Sequence, residues 1–139
     1  MLLRLGYFPD LESAHTILFG GDRAGLDRLA ALLTPLTAPG AQAVELHDYA
    51  QVSVWKPVRL MAMCDAADHG VQRQRVVQGI PTFIWQCSEA GWREILELLA
   101  EVREMPTTGH RLLDSPEADG QVAIMVSTEY SEVWWESHG

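Results

Sequence analysis

The chain has no apolar run that approaches the eighteen to twenty residues a membrane helix needs, so no transmembrane helix is expected. Its two cysteines, Cys64 and Cys87, lack CxxC spacing, and two thiols in 139 residues do not make a disulfide framework. Nucleotide loops of the GxGxxG or GK[ST] type, the zinc helix HExxH and the nucleophile elbow GxSxG are all missing. The opening "MLLRLGYFPDLESA" is interrupted too soon by Pro9, Asp10 and Glu12 to read as a secretory signal. Together these absences lead to the expectation of a cytoplasmic protein with free thiols, no metal, no cofactor and no catalytic residues.

Positive charge is also scarce: 10 Lys and Arg against 19 Asp and Glu, a formal net charge of −9. Phosphate backbones repel such a chain, so direct nucleic-acid binding is not expected, and a basic protein partner fits the charge better. The excess is uneven. Eight acidic and five basic residues lie up to Asp68, eleven and five from Gly70 onward. Hydrophobic residues are plentiful at 47%, enough for one folded domain over 1–139 with a sizeable core.

That domain reads as two similar halves, about 1–66 and 67–139. Shifted by 66 positions, 15–48 falls on 81–114 without a gap and with seven identities in 34 positions: Thr16/Thr82, Ala24/Ala90, Gly25/Gly91, Leu32/Leu98, Leu33/Leu99, Leu46/Leu112 and Asp48/Asp114. Apolar class is kept where residues differ, as at Phe19/Trp85, Leu26/Trp92 and Leu29/Ile95. Each copy reads as strand, helix, strand, strand. "TILFG" and "TFIWQ" are short, β-branched and aromatic runs. Asp22 and Ser88 stand where a side-chain oxygen caps a helix. Helices follow over about 24–36 and 90–104, with Leu26, Leu29, Leu33 and Leu36 in one stripe and Trp92, Ile95, Leu96, Leu99 and Val102 in the other. "AVELHDY" and "HRLLD" read as strands. "SPEADG" reads as a turn, "VSVW", "VRLMAMC" and "QVAIMVS" as further strands, and the end of 65–78 as another. The expected fold is α+β: a tandem βαββ duplication in a two-layer sandwich, with a mostly antiparallel or mixed sheet, half-sheets paired edge to edge and both helices on one face. Gly25 and Gly91, in the first helical turns, are expected to permit close approach to the sheet.

Several residues invite chemistry and decline it on inspection. "GGDRAG" (20–25) lies between strand and helix, but its counterpart "QCSEAG" is not glycine-rich, so a simple turn is expected. His47-Asp48, and His110 near Asp114, are the only histidine–carboxylate neighbours, short of the three or four ligands a metal needs. Cys87 sits near a helix start, where a thiol pKa can fall, yet a base is wanting. Glu89, Glu94, Glu97, Glu101 and Glu104 read as a solvated helix face.

The most unusual segment is the end, "STEYSEVWWESHG" (127–139). Glu129, Tyr130, Glu132, Trp134, Trp135 and Glu136 are the candidate partner-binding residues: aromatics that bury large areas with few rotors, among carboxylates that steer a basic partner. Read as a terminal strand, the segment would turn one tryptophan of the pair inward and the other outward.

"SEAGWREILELLAEVREMPTTGHRLLDSP" followed by "GQVAIMVS" resembles the small bacterial polymorphic-toxin immunity proteins of immunity family thirty-two. The matching features are Gly91 opening a Leu-rich helix, with Trp92 in place of Leu, then Gly109-His110 entering a strand that ends in Leu113-Asp114, then a hydrophobic strand. The first copy matches through Gly25-Leu26 and has Ala43-Val44 in place of the "GH" pair. The resemblance implies an acidic cytoplasmic protein, not an enzyme, that binds and neutralises a cognate toxin domain. If the toxin is a nuclease, acidic side chains here would mimic phosphate in its basic cleft. It transfers no site residues. Two alternatives stay open: a non-catalytic homo-oligomeric domain, such as a homodimer, and a small-ligand binder or enzyme with its site between the halves.

Overall fold

The computed structural model describes residues 3–11, 14–38, 40, 43–49, 52–55, 57–74, 76, 78–114 and 122–138. It is a mixed α+β fold of nine strands in two sheets with three α-helices among the described residues. In chain order these are β1 (Leu3–Leu11), β2 (Ala14–Gly21), α1 (Arg23–Leu33), β3 (Ala43–Glu45), β4 (Val52–Val54), β5 (Arg59–Cys64), β6 (Gly70–Arg73), β7 (Thr82–Cys87), α2 (Glu89–Arg103), β8 (His110–Asp114), β9 (Ala123–Ser127) and α3 (Glu132–His138). The "SPEADG" turn lies outside the described residues.

The two expected helix starts form as their sequence dictates. Asp22 Oδ1 accepts from the Gly25 amide at 2.7 Å, and Ser88 Oγ accepts from the Gly91 amide at 3.0 Å. Each cap satisfies one of the orphan donors of a first turn and contributes about 1 kcal/mol. Behind Ser88 stands Asp68, whose Oδ1 accepts from the Ser88 amide at 2.8 Å and from its hydroxyl at 2.9 Å. Crowding at Gly91 comes chiefly from that carboxylate, with Cys87 Cβ of β7 next, 3.2 Å from where a Cβ would stand.

Sheet topology departs from a simple edge-to-edge pairing of half-sheets. One sheet runs β4-β1-β2-β9-β8 and the other β3-β5-β7-β6. Each takes strands from both halves. The joins are the parallel pairs β2–β9 and β5–β7; the pairs β1–β2, β3–β5, β6–β7 and β8–β9 are antiparallel. Pairing is therefore mixed, with β1–β4 a third parallel pair. Two further differences concern strand limits. "AVELHDY" is a strand only to Glu45 and then winds into a 3₁₀ turn, Leu46–Asp48. The strand within 65–78 is Gly70–Arg73, ahead of the end of that segment. With β1, which the βαββ reading leaves out, a hairpin precedes each helix, β1–β2 before α1 and β6–β7 before α2; after the helices β8 and β9 form a hairpin, whereas β3 pairs with β5 across the intervening β4. Arg4↔Gly20, Leu5↔Phe19, Gly6↔Leu18 and Tyr7↔Ile17 pair in the first half; Gly70↔Gln86, Val71↔Trp85, Gln72↔Ile84 and Arg73↔Phe83 pair in the second, each position 66 further on.

Both helical stripes are buried as the 3.6-residue period requires: Leu26, Leu29 and Leu33 from α1, then Trp92, Ile95, Leu99 and Val102 from α2. They share one core with Leu3, Leu5, Ile17, Phe19, Phe83, Trp85, Ile124 and Val126. Alternate residues of β1, β2 and β9 point the other way. Phe8, Leu18 and Met125 form a second core on the opposite face of the first sheet, with Trp135 of α3. This is why "TILF" and "AIMV" are apolar without alternation: both faces of β2 and β9 are covered.

Candidate functional site

The terminal segment is a helix, not a strand. Ser131 Oγ accepts from the Trp134 amide at 3.2 Å, and the Trp135 amide donates to the Ser131 carbonyl at 3.1 Å. At the other end His138 Nδ1 donates to the Trp134 carbonyl at 2.8 Å. A seven-residue helix is marginal alone. Tertiary packing makes this one. Trp135 is 0% exposed and lies in a slot over two glycines of the sheet. A Cβ at Gly20 would stand 2.6 Å from Trp135 Cζ2, and one at Gly6 3.2 Å from Cζ3. Phe8 packs edge-on, with ring centroids 5.8 Å apart, and Trp55 at 6.4 Å. The first half of "GGDRAG" is thus explained without a phosphate: Gly20 admits an indole, and Asp22 caps α1.

With Trp135 turned inward, its neighbours turn outward. Trp134 is half-buried, stacks on His138 (4.4 Å between centroids, rings 13° apart) and packs at a tilt against Tyr130 (4.1 Å) and Phe8 (5.3 Å). Val133 is 71% exposed. Glu129 and Glu136 are exposed, and Glu129 Oε1 lies 2.6 Å from His110 Nδ1. Glu132 binds the guanidinium of Arg4, a residue of β1 that points to the α3 side of the sheet. Of the six candidates, Tyr130 packs on Trp134, Glu132 turns to Arg4, Glu129 turns to His110, Glu136 is exposed, and Trp135 is buried. Reading the sequence missed Val133, His138, Phe8 and Arg4. The available signal was Gly6 and Gly20 inside otherwise apolar strands, the mark of something large approaching the sheet.

Beside α3, and lined by both halves, runs an open cleft of about 710 Å³ that includes Arg4, Arg23, Arg103, Thr108, Thr128 and Ser131.

The other candidates have structural roles. Glu45, His47 and Asp48 bring one ligand atom each within 4.8 Å of one another. His47 Nδ1 faces both the Leu60 amide, at 3.0 Å, and the Leu60 carbonyl, at 3.3 Å, and its Nε2 lies 3.5 Å from Asp48 Oδ1, so the ring ties the 3₁₀ turn to β5. His110 turns to Glu129 rather than to Asp114. Asp114 instead accepts from Trp85 Nε1 at 2.8 Å. Cys87 is buried beside that carboxylate, and desolvation, then the Asp114 charge, push its thiol well above its ordinary 9.0. Desolvation also raises half-buried Cys64. Neither is a ready thiolate. At pH 8 the folded protein is expected to alkylate slowly at Cys64 and not at Cys87, with both reacting in denaturant; peptide mass mapping checks this. The sign for stability follows: above about pH 9 the unfolded chain releases thiol protons that the native state retains, so stability falls as pH rises further.

Among the described residues no helix is long and apolar enough to cross a membrane. In comparisons with known proteins, no family model, curated protein or solved structure matches the chain.

Proposed function

We propose that this protein acts by binding a basic protein surface through α3 and its flank, and that the partner is a cognate toxin domain which it neutralises in the cytoplasm, as a non-enzymatic immunity protein. The observation that carries the reading is the outer face of α3. Exposed Val133 and half-exposed Trp134 share a short helix, pinned by Trp135, with Glu132 and Glu136, and Glu129 and Tyr130 lie just before it, Tyr130 packed on Trp134. A rigid aromatic patch loses little entropy on binding, and a rim of carboxylates accelerates encounter with a cationic partner. The net charge of −9 and the resemblance in 88–127 support the same class of partner.

The finer architecture belongs with this reading. We infer that the halves are tandem copies of a ββαββ unit, joined crosswise through β2–β9 and β5–β7. The 66-position offset shared by the caps and the two N-terminal hairpins supports it.

The test is co-expression with a toxin domain encoded beside this chain, followed by binding kinetics on the purified pair. Rescue of growth and a stoichiometric complex are expected. Trp134→Ala is expected to weaken the complex about thirtyfold, as loss of a hot-spot side chain worth ~2 kcal/mol does, with an unchanged circular dichroism spectrum. The association rate is expected to fall steeply between low and physiological salt, because screening shortens the reach of the acidic rim. No rescue, or an affinity indifferent to Trp134, would sink the proposal.

A further inference from the structure

We propose that the cleft between the two halves is a binding site for a small carboxylate, and that Glu132 is its tethered competitor. The inference is independent of the toxin-binding reading. It starts from Arg4. This residue is only 6% exposed, its Nε is shut from solvent with no hydrogen-bond partner among the described residues, and it lines the cleft. A guanidinium does not deprotonate, so burying one demands an anion beside it. The carboxylate that supplies this charge belongs to Glu132, whose own side chain is 72% exposed. The counter-ion of a buried cation is thus a solvent-reachable surface group on the first residue of a short helix. That helix is held by Trp135, not by this ion pair, so Glu132 can swing away while α3 stays docked.

The remaining walls suit an incoming oxyanion. Arg23 is exposed and opens α1; Asp22, which also lines the cleft, spends its Oδ1 on the Gly25 amide. Arg103 forms an ion pair with Asp27, Nε to Oδ1 at 3.1 Å, and a guanidinium has five N–H groups to share. Thr108, Thr128 and Ser131 add hydroxyl groups. Three arginines, beside Asp22 and Glu132, line the cleft in a chain that has only 10 basic residues against 19 acidic ones. The volume of about 710 Å³ falls within the usual range for small-molecule sites. Carboxylate is the class assigned because a carboxylate already occupies the Arg4 position, and planar pairing with guanidinium favours it.

The experiment is calorimetric titration of the full chain with succinate, with inorganic phosphate as a second arm and sodium chloride at matched ionic strength as the control. Saturable succinate binding is expected, at least tenfold tighter in Glu132→Gln, where the competitor is gone. Arg23→Gln alters an exposed residue and leaves folding intact; it is expected to weaken succinate severalfold in either background. Four results overturn the proposal: no saturable succinate binding to Glu132→Gln up to about 10 mM, equal affinity in wild type and Glu132→Gln, no loss in Arg23→Gln, or saturation by phosphate alone.

Discussion

Trp135→Ala is expected to destabilise the fold by about 3–5 kcal/mol, the largest effect of any single change near the proposed docking surface. The side chain is fully buried, and it fills a slot that the sheet opens by having glycine at both Gly6 and Gly20. Those glycines cannot reach up to close the gap. Phe8, Leu18 and Met125 would lose their cover together, and α3 would lose the contact that makes a seven-residue helix stable. For a chain of 139 residues the melting temperature should drop by roughly 10 °C or more. Urea denaturation of the purified variant measures the loss directly. The reciprocal change, Gly20→Ala, puts a methyl 2.6 Å from the indole and should cost ~1–3 kcal/mol by overpacking. The two are coupled: with the indole gone the methyl has room, so the double variant should lose less than the sum. A Trp135→Ala protein within 1 kcal/mol of wild type would show that α3 is only loosely seated.

The second large effect is expected at Trp92, on the other side of the first sheet. Trp92 is fully buried in α2, packs edge-on against Trp85 with centroids 4.7 Å apart, and donates from Nε1 to the Met63 carbonyl of β5 at 2.9 Å. Trp85 in turn donates to Asp114 of β8. These two indoles connect a strand of the first half to the helix and strands of the second. Trp92→Ala removes the ring and the donor, and should cost about 3–5 kcal/mol. Trp92→Leu puts in the residue that stands 66 positions earlier, Leu26, and should recover part of the lost packing but not the hydrogen bond. Chemical denaturation of both variants separates the two contributions. Equal losses for Ala and Leu would mean that the lost hydrogen bond to the Met63 carbonyl, and not the cavity, decides stability here.

What the sequence by itself determined is local. Asp22 and Ser88 cap the helices they precede, because a cap needs only an oxygen three residues before an amide. The leucine stripe of α1 and the mixed stripe of α2 face the core, because a 3.6-residue period admits one buried face. The 66-position offset is visible because matching elements keep matching apolar positions. None of these depends on a distant partner.

The tertiary structure decided which distant segments meet. Nothing local in "TILF" selects "AIMV" as its parallel neighbour over "VRLMAMC"; both candidates are apolar runs of the right length. The crosswise joining therefore emerges only when both hairpins share one core. The same reason explains the terminal segment. "SEVWWESH" has too few residues to declare a period, and read alone it passed for a terminal strand. The slot above Gly6 and Gly20 chose helix, because only a helix turns Trp135 inward while leaving Glu132 over Arg4, 128 residues away in the chain. With that choice, Trp135 became the anchor of α3, Val133 turned outward, and an acidic chain acquired a cleft lined by three arginines.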